Sequence, residues 1–181
     1  MATERTTSML KSRIAVILPA VAILAVIGSG AVAQAATIPR IQGSHSVKLT
    51  ITADKNKPAD VGTSSTSAWK FTPSCAAPAG CSTKLVRPRP SGHPASATTT
   101  LKPSGKTYSG KTVYDSACFL NSGQVVNNGY VTTETTNLTV TKVNGSNVAT
   151  AFTGTLNLVF VPTAIGKKNG CTNDHIAGKF Q

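Results

Sequence analysis

Acidic residues are scarce in this 181-residue chain, with six Asp and Glu against 18 Lys and Arg. Aromatic residues make up 5% of it, and histidine occurs three times, at His45, His93 and His175. Each shortage removes a class of chemistry. Only five carboxylates lie beyond residue 35, scattered along the chain, so a glycosidase pair or a carboxylate metal site has no candidate. No Gly-x-Ser-x-Gly elbow occurs, and the adjacent Asp174 and His175 would point to opposite faces of a strand, which leaves a Ser-His-Asp triad without a basis. There is no Cys-x-x-Cys, and the one His at a ligand-like spacing from a Cys is His175, four after Cys171, so zinc is not expected. Beyond the N-terminal segment no apolar pattern recurs at helical spacing. No catalytic residue, metal or cofactor is assigned.

What the chain does have begins with its N-terminus. Arg5, Lys11 and Arg13 precede an apolar run, Ile14 to Gly28, and the small residues SGAVAQAAT follow. A positive flank, a short apolar run and an Ala-x-Ala site predict a secretory signal peptide over residues 1–35, with cleavage after Ala35 preferred over Ala33. The run is shorter than the roughly 20 residues that span a bilayer, and Pro19 interrupts it. The expected product is secreted and monomeric. It carries 15 Lys and Arg against 5 Asp and Glu, a formal charge of +10.

All four cysteines, Cys75, Cys81, Cys118 and Cys171, fall in the exported part, and an even count in an oxidising compartment predicts two disulfides. The strand pattern suggests which. SVKLTITA alternates Val47, Leu49 and Ile51, Trp69 alternates with Phe71 as core, and CSTKLVR gives a short strand. The segment after Gly129 alternates up to Asn144-Gly145, and its return places Phe152, Leu156, Leu158 and Phe160 on one parity, which predicts a long hairpin. Cys118 and Cys171 lie nearly equidistant from that turn, so the hairpin folds them together; CAAPAGC lets Cys75 and Cys81 close a small loop. The larger ring contributes on the order of 3–4 kcal/mol by chain entropy. The expected fold is all-β, an antiparallel sandwich or small barrel with two disulfides. Its expected parts are an N-terminal strand and flexible segment over 36–66 and a β-rich domain over 67–181, with a last strand near Asp174 to Phe180.

Gly105 to Thr112 reads GKTYSGKT and fits the phosphate-loop pattern letter for letter. The context opposes it. A polar stretch ending in Pro103-Ser104 precedes it where a buried strand is needed, and VYDSACFLNSG follows where a helix is needed. A β-stretch with Tyr108 on one face and Thr107, Ser109 and Lys111 on the other is the expectation, with no nucleotide. Lys84, Arg87, Arg89, Lys102, Lys106 and Lys111 fall in one third of the chain and are the expected basic surface. Only Tyr108 and Tyr114 lie near them, too few stacking aromatics for nucleic acid. An anionic wall polymer or an extracellular protein fits the charge better.

The pattern Trp69-x-Phe71-x-Pro73-x-Cys75, then Gly80-Cys81, Tyr108-x-Gly110, Cys118, Thr153-Gly154-Thr155 and Gly170-Cys171, resembles an extracellular domain of actinobacterial secreted proteins, similar to the extracellular regions of some bacterial Ser/Thr protein kinases. The resemblance spans about Ser67 to Phe180 and implies a β-rich sensor or interaction module, with no catalytic residues to carry over. Secreted subtilisin inhibitors have a Gly-x-His-Pro stretch between close cysteines; here Gly92-His93-Pro94 lacks the spacer, and Ala95-Ser96-Ala97 follows with no Cys. The functional expectation is a secreted, non-catalytic binding domain held at the wall or surface through a basic face. A secreted hydrolase or protease-inhibitor-type protein is the alternative.

Overall fold

The computed structural model of the chain describes residues 37–77, 80–88 and 96–181; the expected signal peptide, Arg89 and His93 lie outside the described residues. Eight strands form the fold: β1 (Gly43–Asp54), β2 (Ser64–Pro73), β3 (Thr83–Pro88), β4 (Ser96–Ser104), β5 (Thr107–Phe119), β6 (Val125–Val143), β7 (Ala149–Pro162) and β8 (Asp174–Phe180). Each is antiparallel to its sequence neighbours, and β8 pairs back onto β1, which closes a barrel. Closure leaves no sheet edge to satisfy. A five-residue helix, α1 (Ala164–Lys168), sits between β7 and β8, N-capped by Thr163, whose Oγ1 accepts from the Gly166 N–H at 3.0 Å. Among the described residues no helix is long and apolar enough to cross a membrane.

Period-two alternation builds the staves. In β6 the residues Tyr130, Thr132, Glu134, Thr136, Leu138 and Val140 face inward, while Val131, Thr133, Thr135 and Asn137 face outward. Thr and Val suit a pleated, half-buried surface, so this Thr-rich run is held extended over 19 residues. The hairpin forms where Asn-Gly predicts it, but the left-handed position is Asn147 (φ 58°), not Gly145. Asn144 Oδ1 accepts from the Ser146 and Val148 N–H groups at 3.0 Å and tightens the turn.

One end of the barrel is filled with apolar side chains. Trp69, Phe71, Leu85, Leu101, Tyr108, Leu138, Phe152 and Phe180 are all buried there. The rings of Trp69 and Phe180 lie 4.7 Å apart, and those of Phe71 and Phe152 meet edge-on at 5.3 Å. Gly154 makes room for this: a Cβ there would collide with the Phe180 ring and the Asn137 carbonyl. Residues 38–41 cover the same end. Tyr108 donates to the Pro39 carbonyl at 2.6 Å, and Arg40 donates to the Cys75 carbonyl at 2.9 Å.

Cys75–Cys81 closes the β2–β3 connection at this end, and Cys118–Cys171 joins β5 to the α1–β8 connection at the other, both as expected. The boundary expected between residues 66 and 67 is corrected: it falls inside β2, and the preceding segment supplies a full stave, β1, paired on both sides. GKTYSGKT is the β4–β5 turn and the start of β5, with Gly105 at φ +58° in the turn and no helix behind it. The short strand expected in CSTKLVR is β3, completed by Arg87 and Pro88, with Arg87 on the inward parity of Thr83 and Leu85.

Candidate functional site

Three features beyond the apolar core carry chemistry: a polar layer in the lumen, a cavity at the open end, and the outer wall of β2–β5.

In the lumen, Arg87 of β3 reaches across to Glu134 of β6. Arg87 Nε donates to Glu134 Oε1 at 3.0 Å and Nη2 to Oε2 at 2.5 Å, with Glu134 fully buried. Thr99 Oγ1 and the Tyr114 hydroxyl donate to the same carboxylate at 3.5 Å, and one layer on Ser116 and Thr132 share a hydrogen bond at 2.6 Å. The forked geometry matches guanidinium to carboxylate in two parallel bonds. The pair is a strut between two sides of the barrel. This corrects the placement of Arg87 on the basic surface, since its side chain is 7% exposed and its charge is matched. Glu134 was passed over in the sequence because it sits in a polar run, GYVTTETTNL, although its parity with Tyr130 and Leu138 marks it as inward.

At the open end a cavity of about 430 Å³ lies among the β1–β2 connection, the β5–β6 turn and the α1–β8 connection. Its floor is Tyr130, Phe160 and the Cys118–Cys171 bridge, and its rim includes Asp54, Asp60 and Asp174. The expectation that the carboxylates stay dispersed is therefore corrected: three of the five beyond residue 35 share one rim. Asp54 Oδ1 accepts from the N–H groups of Asn56 (3.1 Å) and Lys57 (2.7 Å), and Asp174 Oδ1 accepts from Asn56 at 3.3 Å, so two of these carboxylates brace the β1–β2 turn. Tyr130 donates to the Thr172 carbonyl at 2.9 Å; burial, and then the Asp174 charge, push its phenol above its ordinary pKa. Among the described residues no group of His, Cys, Asp and Glu is arranged to hold a metal ion.

The histidines do not join this rim. His45 packs edge-on against Phe71 and Phe152 at the closed end, with Nε2 at 3.0 Å from the Gln42 carbonyl. His175 is exposed on the outside of β8 while Asp174 faces the cavity.

The outer wall of β2–β5 collects the lysines. Lys84, Lys102, Lys106 and Lys111 are exposed, and Lys70 joins them from β2. Lys84 pairs in register with Thr72 and Thr100, so Lys70 and Lys102 are its diagonal neighbours on either side, about 7–8 Å away between Cα atoms. Residues 61–114 contain seven Lys and Arg and no Asp or Glu. Apart from the buried Arg87 and from Arg89, every one of those cations lies on this wall or on its β4–β5 turn, with no carboxylate beside it before Asp115. Tyr108 and Tyr114, the two aromatics near these cations in sequence, point into the lumen.

Comparison of the chain with known protein families, with curated proteins and with solved structures found no match.

Proposed function

We propose that this chain is an exported, non-catalytic binding module that captures an anionic polymer of the cell envelope along its β2–β5 wall. The observation that carries the reading is the lysine stripe: Lys70, Lys84, Lys102 and Lys111 project from four adjacent staves with no acidic side chain in the run 61–114. Such a row is not a by-product of the fold. Close like charges repel and work against the sheet that carries them. The ligand class follows from the geometry. A small anion is held by donors that converge on a concave site, whereas these ammonium groups diverge from a convex wall. A polymer with repeated phosphates or carboxylates can meet them one after another. Nucleic acid is the poorer match, because both nearby tyrosines are turned inward and offer no stacking surface on the wall. Two disulfides are compatible with work outside the cell.

The test is co-sedimentation with purified cell-wall sacculi that retain their anionic polymers. The protein should pellet at low salt and be released near about 0.15 M salt, where the Debye length falls to about 8 Å. Replacing Lys70, Lys84 and Lys102 by Gln should weaken low-salt binding by roughly tenfold or more. Equal pelleting of that variant, or no pelleting of the wild type at low salt, would refute the reading.

A further inference from the structure

The cavity at the open end sets a local charge against that of the whole chain. Asp54, Asp60 and Asp174 line it, and Lys57 is the one cation among its described lining residues, a formal balance of −2 in an exported chain that carries +10. Among the described residues Lys57 makes no ion pair with any of the three. Lys55, Lys167 and Lys168 are near in sequence but exposed and outside the lining. Bracing the β1–β2 turn accounts for an oxygen at positions 54 and 174 but not for a charge, because Asn would offer the same Oδ1 to the backbone. Each keeps a second oxygen with no donor among the described residues, and the Asp60 side chain makes no hydrogen bond there at all. Asp54 does so at 8% exposure, where an ionised carboxyl short of donors is costly.

We infer that this cavity is a binding site for a small organic cation, an ammonium or guanidinium carried on an aromatic or aliphatic body. Its volume of about 430 Å³ suits a small molecule. The floor supplies the apolar half. Tyr130 and Phe160 are buried there and meet edge-on at 5.5 Å, beside the Cys118–Cys171 bridge, with Leu120 and Ile176 packed against them. Aromatic rings hold an apolar body and attract a cation as well. The rim supplies the charge. Other ligand classes fit less well. A metal ion needs ligands that converge on one point, and among the described residues these carboxylates do not. An anion would face three carboxylates, and a neutral apolar molecule would gain nothing from them.

The site is independent of the lysine wall, and the two select ligands of opposite sign. Net charge cannot mimic it. A chain at +10 draws anions and repels cations through its general field, so a preference for a cation at this end has to come from the local carboxylates.

Amide chemical-shift titration of protein purified after expression of the full chain tests this with three indoles that differ in side-chain charge: tryptamine (cation), tryptophol (neutral) and indole-3-acetate (anion). Tryptamine should shift the amides of Asn56, Leu120 and Thr172 saturably and bind about tenfold or more tightly than indole-3-acetate, with tryptophol between them. The D54N/D60N/D174N variant keeps every turn-bracing acceptor and should erase that order, so that tryptamine binds no better than tryptophol. D60N has no side-chain hydrogen bond to lose, so it should keep the fold and weaken tryptamine by about threefold. K70Q/K84Q/K102Q should bind tryptamine as the wild type does. Absence of saturable tryptamine binding, saturable shifts confined to residues outside the cavity, indole-3-acetate bound as tightly as tryptamine, or a D60N affinity equal to that of the wild type would each overturn the inference.

Discussion

β3 and β6 stand on different sides of one lumen and obey the same rule inside it. Thr83, Leu85 and Arg87 on the first, and Tyr130, Thr132, Glu134 and Leu138 on the second, alternate inward and are buried. Outside they part company. β3 and its neighbours β2, β4 and β5 present Lys84, Lys70, Lys102 and Lys111, whereas β6 and β7 present Val131, Thr133, Asn157, Val159 and Val161. The inward sets are dictated by what a closed barrel must bury. The outward sets answer to no such demand, since Thr or Ser would serve the strand equally well at most of these positions. A bias there reports on what the wall meets, and the two walls report different things. Between them runs the Arg87–Glu134 strut, which belongs to both.

Breaking the strut should have the largest effect. Glu134→Leu leaves Arg87 buried and unmatched and should cost about 3–5 kcal/mol in urea unfolding, while Arg87→Met combined with Glu134→Leu should recover most of that loss. An Arg87→Met/Glu134→Leu double variant as unstable as Glu134→Leu would show that the walls need the charge pair itself, not the filled space. The two disulfides sharpen the contrast next. Cys118–Cys171 spans 53 residues and Cys75–Cys81 spans 6, so replacing the first pair by Ser should cost about 4 kcal/mol and the second about 2 kcal/mol in the chain-entropy model.

A smaller effect is expected at alkaline pH. Burial raises the pKa of Tyr108, opposed by Arg40, and burial with Asp174 raises that of Tyr130. Both phenols ionise more readily unfolded than folded, so their contribution is constant below pH of about 10 and is lost as pH climbs from there through the folded values. Ultraviolet titration should show Tyr108 and Tyr130 ionising late, together with a decline in melting temperature; ordinary titration of both would contradict it. The smallest stability change belongs to the lysine wall. K70Q/K84Q/K102Q should leave the unfolding free energy within about 0.5 kcal/mol of wild type or raise it slightly by relieving repulsion.

Much of this fold is legible in the residues, for identifiable reasons. Strict alternation exposes β1, the β6–β7 hairpin and β8, and a turn midway between Cys118 and Cys171 gives away their pairing. Barrel closure is not legible, because pairing of β1 with β8 is a contact between the two ends of the domain and leaves no local signal. Arg87 is misplaced when read by charge alone, since its parity with Thr83 and Leu85 is what turns it inward. The shared rim of Asp54, Asp60 and Asp174 was invisible for the same reason as closure: β1 and β8 meet only in space. The lysine wall was half legible. Composition located the run, but the strand register added Lys70 and removed Arg87.

The measurement that bears most directly on the division of labour between the walls is the low-salt binding isotherm of K70Q/K84Q/K102Q on sacculi, set beside the wild type at matched folding stability. The account predicts affinity lower by about tenfold or more, and a shallower salt dependence in proportion to the charges removed. An isotherm that overlays the wild type would contradict it and show that the cationic wall is there for solubility alone.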